Sequence, residues 1–160
     1  NSFKVYAKQI INNAKALADT LSKQGFNLVS GGTDSHLILI DLSNYKILGN
    51  TAAEGLEEAG IVLNYNTVPF DPNPPFYPSG IRIGTPAITT RNMKELQMKI
   101  ISEFIYDVIN EVSNYELPLD NELRKEYLKK FKLEIKNNKK LKEIRDNVMK
   151  LCGEFPLYEE

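Results

Sequence analysis

The chain has 160 residues, enough for one ordinary hydrophobic core, alone or with a helical appendage. Its 20 lysines and arginines nearly cancel 21 aspartates and glutamates, so no global field recruits nucleic acid or a membrane surface. The single cysteine, Cys152, excludes an internal disulfide, no cysteine cluster exists to hold a metal, and no apolar run reaches bilayer-spanning length.

This cysteine usage fits a reducing, cytoplasmic setting. The amino terminus, Asn1-Ser2-Phe3-Lys4, has neither a signal-peptide layout nor a methionine, which suggests a piece of a longer chain.

Taken in order, Ile10, Ala14, Leu17 and Leu21 recur at helical spacing, and Gly25 is the expected stop. Asn27-Leu28-Val29 predicts a short strand, Ser30 to Ser35 a turn, and His36 to Leu42 a mostly apolar strand. Asn50 is expected to cap a short helix over residues 51–59, ended by Gly60. Ile61-Val62-Leu63 then predicts another strand. Residues 66–78 hold five prolines, too many missing donors for regular structure, and a stiff loop inside a domain is usually functional.

Beyond it, Gly80 to Gly84 predicts a strand, and Thr90 is expected to cap a long helix burying Leu96, Ile100, Ile101, Phe104, Ile105, Val108 and Val112. A polar link over residues 113–121 leads into two more amphipathic helices. Their apolar faces are Leu123, Tyr127, Phe131 and Ile135, then Leu141, Ile144, Val148, Leu151 and Phe155 beside Cys152. Buried packing is expected of that cysteine. Lysines 129 to 142 are interleaved with Glu134 and Glu143, which marks a solvated face rather than a nucleic-acid stripe. The whole order predicts an α+β fold: a small, mostly antiparallel sheet covered by helices.

The chemistry concentrates in Ser79 to Arg91. Strand alternation sends Ile81 and Ile83 to one face and Arg82 to the other, with Gly80 and Gly84 leaving room for a ligand or another backbone. A guanidinium presents a planar fork of donors that matches a carboxylate or phosphate, so Arg82 is an anion-clamp candidate; a surface arginine on an edge strand is the alternative. Arg91 is left open between anion binding and pairing with an acid. His36, the only histidine, is expected to hydrogen-bond Asp34 or nearby backbone, a structural role, and alone it makes zinc binding improbable. Asn64-Tyr65-Asn66-Thr67 offers amides suited to a heterocycle edge, although a pair of asparagines capping the turn is the reading the residues alone favour. Ser30-Gly31-Gly32-Thr33 lacks the spacing and lysine of a phosphate loop and reads as a turn. No nucleophile–base set stands out.

Several segments together resemble the C-terminal domain of the serine hydroxymethyltransferase family, pyridoxal-phosphate enzymes of the aspartate-aminotransferase type (fold type I). They are Asn13 to Ala18, Val29 to Leu37, Asn64 to Pro69, Ser79 to Arg91, and the ending Phe155-Pro156-Leu157-Tyr158, in the right order over nearly the whole chain. The resemblance implies that residues 1–160 are the small domain of an enzyme interconverting serine and glycine, with one-carbon transfer to or from tetrahydrofolate. It implies that Arg82 grips the substrate carboxylate, that Asn66 contacts the folate pterin, and that Arg91 and His36 have supporting roles. It also implies a homo-oligomer, dimer or tetramer, and places the cofactor lysine in a large N-terminal domain outside these residues. No catalytic residue is expected within this chain, which would be inactive alone. A stand-alone amino-acid-binding module and a purely structural domain are the alternatives.

Overall fold

A computed structural model of the chain describes residues 2–115, 118, 120 and 122–157. Tyr158 of the closing motif and residues 116, 117, 119 and 121 of the expected link lie outside the described residues. The elements run α1 (Ser2–Lys23), β1 (Asn27–Leu28), β2 (Leu37–Asp41), α2 (Gly49–Glu58), β3 (Asn64–Asn66), β4 (Gly80–Gly84), α3 (Pro86–Thr90), α4 (Glu95–Val112), α5 (Arg124–Ile135) and α6 (Lys139–Glu154). The four strands form one fully antiparallel sheet in the order β1-β2-β4-β3. The α+β expectation holds.

Helices cover one side of this sheet only. Leu28, Ile38, Ile40, Ile81 and Ile83 point inward and join Leu17, Leu21, Leu56, Met98, Ile105 and Val108 in a continuous core. Because partners on an antiparallel ladder share a face, the other side carries the row Leu39, Arg82 and Asn64, flanked by Asp41, Gly80 and Asn66. Arg82 and Asn64 are exposed on that open side.

Three expected boundaries moved. The run Ile61-Val62-Leu63 is not a strand; the paired residues are Asn64 to Asn66. Ile61 and Leu63 instead pack against the core as α2 turns towards the sheet edge. Asn50 does not cap α2, which begins a residue earlier, at Gly49, with Leu48 at the cap position. Asn50 lies buried in the first turn, its Oδ1 accepting from the Thr51 N–H at 3.0 Å. Thr90 closes the short helix α3 instead of opening a long one, and α4 starts after Lys94, whose N–H donates to Gln97 Oε1 at 3.0 Å. Leu96 consequently faces solvent rather than the core.

The strand that carries Arg82 is fixed at both ends. Before it, the Gly49 N–H donates to the Pro78 carbonyl at 2.6 Å and the Leu42 N–H to the Ser79 carbonyl at 2.9 Å. After it, Thr85 Oγ1 donates to the Ile10 carbonyl, and the fully buried Asn13 amide of α1 donates to Thr89 Oγ1 at 2.8 Å and the Met93 carbonyl at 2.9 Å. A buried amide with both partners in place holds one geometry, because each lost bond leaves a desolvated polar atom.

Helix α5 packs through Phe131, whose ring meets Tyr115 edge-on at 5.1 Å and stacks with Tyr127 at 6.0 Å. Burial pushes the Tyr127 phenol up to about 12, so it remains a donor, and it reaches the Tyr115 carbonyl at 3.1 Å. The lysine-rich face of α5 and α6 is solvated as expected, with Lys130–Glu134 and Lys140–Glu143 pairs along it, while Lys132 crosses to Glu54 of α2 at 2.8 Å.

Candidate functional site

Arg82 occupies the middle of β4 with a glycine two residues away on each side. The two glycines do different things. A Cβ on Gly80 would meet the Ile40 carbonyl oxygen at 2.8 Å and the Asn66 carbonyl oxygen at 2.9 Å, so Gly80 serves close strand approach. A Cβ on Gly84 would meet its nearest neighbour, Leu37 Cδ2, at 3.4 Å, an ordinary contact, so a side chain could be accommodated there. Among the described residues, no ion pair and no side-chain hydrogen bond engages the Arg82 guanidinium. An exposed guanidinium with all five donors available on an otherwise uncovered sheet face is arranged to receive an anion.

Beside it lies an open cleft of about 490 Å³. Its floor is Leu37 and Leu39; its rim is Arg82 and Asn66 from the sheet and Ser30, Thr33, Asp34 and Ser35 from the turn before β2. The turn is built from its own hydroxyls: Thr33 Oγ1 donates to the Leu37 carbonyl at 2.6 Å, and Ser35 Oγ accepts from the Leu37 N–H at 3.2 Å. Asp34 pairs with Lys15 at 3.5 Å, both exposed, which offsets its charge at the rim. Asn66 Nδ2 donates to the Thr67 carbonyl at 2.7 Å, which orients the amide at the point where β3 enters the proline loop. On its other side Arg82 borders a second cleft, of about 570 Å³, together with Asn64, Tyr65, Glu57 and the paired Glu54 and Lys132.

The fold thus brings Arg82 and Asn66 to one cleft, and it does not bring Arg91 or His36 there. Arg91 Nη2 donates to the Cys152 carbonyl in the last turn of α6 at 2.8 Å. The His36 imidazole is exposed and makes no side-chain hydrogen bond among the described residues; the bond expected with Asp34 is not formed, and the residue contributes its carbonyl to the Thr85 N–H at 3.2 Å. Cys152 is half-buried on the wall of an apolar cavity of about 150 Å³ with Leu17, Ile88 and Phe104.

One organising residue escaped the sequence reading. Asp71, inside the proline loop, accepts four hydrogen bonds: from the N–H groups of Val68, Asn73 and Ser79 and from Ser79 Oγ, at 3.2, 3.0, 2.9 and 2.6 Å. Partial burial pushes its carboxyl up, but these bonds outweigh that and hold it below the usual aspartate range. The available signal was the loop's own poverty in donors: with five prolines, the few remaining N–H groups need an acceptor, and an acid among them supplies it.

No lysine lines the cleft, and no lysine among the described residues is buried. These residues therefore do not fit the covalent site of pyridoxal phosphate, and what they offer is binding and orientation of other groups. No helix among the described residues is long and apolar enough to cross a membrane, and no cluster of metal-ligating side chains occurs among them.

Residues 1–105 match the family model described as serine hydroxymethyltransferase. A curated relative, the serine hydroxymethyltransferase of Koribacter versatilis (strain Ellin345), is 42% identical over 159 residues, covering 99% of this chain and 32% of its own length. The chain thus spans about a third of the curated relative it matches.

Proposed function

The chain belongs to the serine hydroxymethyltransferase family, and on that premise we propose that it is the C-terminal small domain of such an enzyme, supplying substrate-binding groups to a site completed by the rest of the protein. In this reading Arg82 takes the carboxylate of serine or glycine as a bidentate pair, and Asn66 meets the pterin edge of tetrahydrofolate across the same cleft. Pyridoxal phosphate, the family's cofactor, supplies the electron sink and is held by the large domain of the intact enzyme. The intact enzyme is a cytoplasmic dimer or tetramer interconverting serine and glycine.

The observation that carries this reading is the Arg82 guanidinium, unpaired among the described residues, sharing a cleft with Asn66. Fixing the carboxylate orients the bonds at the amino-acid α-carbon, which is how positioning lowers a barrier without this chain contributing a nucleophile. The turn at Ser30 to Ser35 rims that cleft opposite the sheet residues Arg82 and Asn66.

The test is steady-state kinetics of the full-length enzyme carrying Arg82→Lys. Losing the planar fork while keeping the charge costs about 2–4 kcal/mol of transition-state binding. Serine turnover and KM equal to those of the unmodified enzyme would remove Arg82 from the substrate site.

A further inference from the structure

Four hydrogen bonds converge on one carboxylate at the neck of the proline loop, and their endpoints matter more than their number. Asp71 Oδ2 accepts from Val68 N at 3.2 Å and Ser79 N at 2.9 Å, joining the two ends of the loop through a single atom. Val68 lies two residues after Asn66, and Ser79 three before Arg82. Oδ1 adds Asn73 N at 3.0 Å and Ser79 Oγ at 2.6 Å. Asn73 extends the network: its Nδ2 donates to Ser79 Oγ at 2.9 Å, and its Oδ1 accepts from Arg124 Nη1 of α5 at 2.9 Å. Ser79 is buried, and Asp71 and Asn73 are half-buried.

The two cleft residues depend on this staple unequally: Asn66 is the last rung of β3, opposite Gly80, and its amide donates to the carbonyl of Thr67, the first residue of the loop. Arg82 sits in a five-residue ladder with β2 and is paired to Asn64 on its other side, so the sheet holds its backbone whether or not Asp71 is present. Residues 67–78 have no ladder. Apart from the Asp71 bonds, their backbone hydrogen bonds within the loop are Asp71 N to the Val68 carbonyl and Tyr77 N to the Pro74 carbonyl. Five prolines remove five of its twelve backbone donors.

We infer that Asp71 is a positioning residue for the folate side of the site, holding the start of the loop whose Thr67 carbonyl orients the Asn66 amide, while leaving the Arg82 carboxylate clamp to the sheet. This rests on the assignment of Arg82 and Asn66 to amino acid and folate. Asp71→Asn is the sharpest probe. An amide keeps the size but replaces one acceptor oxygen by a donor, so the bonds from Val68 and Ser79, or those from Asn73 and Ser79, lose their acceptor.

In the full-length enzyme, Asp71→Asn is expected to raise the KM for tetrahydrofolate about tenfold or more, the size of lost hydrogen bonds to a charged acceptor, with the KM for serine moving less than about twofold. Ser79→Ala, which removes only the hydroxyl bonds, is expected to shift the folate KM in the same direction by about threefold. It also decides the matter if Asp71→Asn does not fold. Unchanged folate KM in the folded variants, or equal rises in both KM values, would overturn the inference. Asn66→Ala and Arg82→Ala measured alongside separate the two claims. If Asn66→Ala raises the folate KM and the Asp71 and Ser79 variants do not, only the positioning role fails. If Asn66→Ala leaves folate and Arg82→Ala leaves serine unaffected, the assignment of the cleft itself fails.

Discussion

Gly80 stands directly opposite Asn66 on the β3–β4 ladder, and a Cβ on Gly80 would lie 2.9 Å from the Asn66 carbonyl oxygen, 2.8 Å from that of Ile40 and 2.6 Å from Val68 Cγ1. Two of those three neighbours are backbone in a paired sheet and have nowhere to go. Gly80→Ala is therefore expected to destabilise the domain by about 3 kcal/mol, the upper part of the usual overpacking range. Gly84→Ala, whose Cβ would meet Leu37 Cδ2 at 3.4 Å and the His36 carbonyl oxygen and Pro86 Cδ at 3.6 Å, all ordinary van der Waals contacts, is expected to stay within about 0.5 kcal/mol. Urea denaturation of the two variants in the full-length protein decides this, and equal costs would mean that strand approach is not what Gly80 provides.

Acid is expected to loosen the proline loop through Asp71. Its folded value lies below the ordinary 3.8, so the stability it contributes is fully present above that value and is lost as pH falls through the folded one. Between about pH 4 and pH 2 the unfolding midpoint of the unmodified protein is expected to fall more steeply than that of Asp71→Asn, which has no such proton to take up. Parallel slopes over that range would show that the carboxylate is not stabilised by its four partners.

Phe131 anchors α5 to the rest of the domain, fully buried between Tyr115 and Tyr127. Phe131→Ala removes both aromatic contacts and leaves a cavity, at an expected cost of about 3–5 kcal/mol. Arg124 lies at the other end of the same helix, two turns before Phe131, and holds Asn73. Limited proteolysis is therefore expected to cut the loop around Asn73 faster in Phe131→Ala than in the unmodified protein; equal cutting rates would show that α5 does not support the loop.

The strand of Arg82 was readable because three signals agreed: the alternation of Ile81 and Ile83, the flanking glycines, and a charged residue that an open face tolerates. Its partner β3 was not, since Asn64-Tyr65-Asn66 has no apolar alternation and earns its place by pairing with β4 at the sheet edge. The apolar run just before it drew the strand assignment because packing against α2 and packing as a strand look alike over three residues. The clamp-and-amide pair of Arg82 and Asn66 was visible residue by residue, but their shared cleft depends on the β3–β4 register, which neither segment encodes alone. Asp71 was missed for a related reason: its four donors come from Val68, Asn73 and Ser79 and meet only when the loop closes.

Arg91 reaches away from the cleft, and its position predicts a stabilising role. Its guanidinium donates to the Cys152 carbonyl at 2.8 Å, near the C-terminal end of α6, where a cation meets the negative end of the helix dipole. The same contact ties the turn after α3 to α6, across 61 positions of sequence. Arg91→Ala is expected to cost about 1–2 kcal/mol of stability, from one charge-assisted bond and its dipole term, with the KM for serine nearly unchanged. Arg91→Lys keeps the charge but not the planar fork and is expected to recover only part of the loss. Denaturation and serine kinetics on the same full-length variants separate the two roles. A serine KM raised by about fivefold or more, with stability unaltered, would put Arg91 in the substrate site instead.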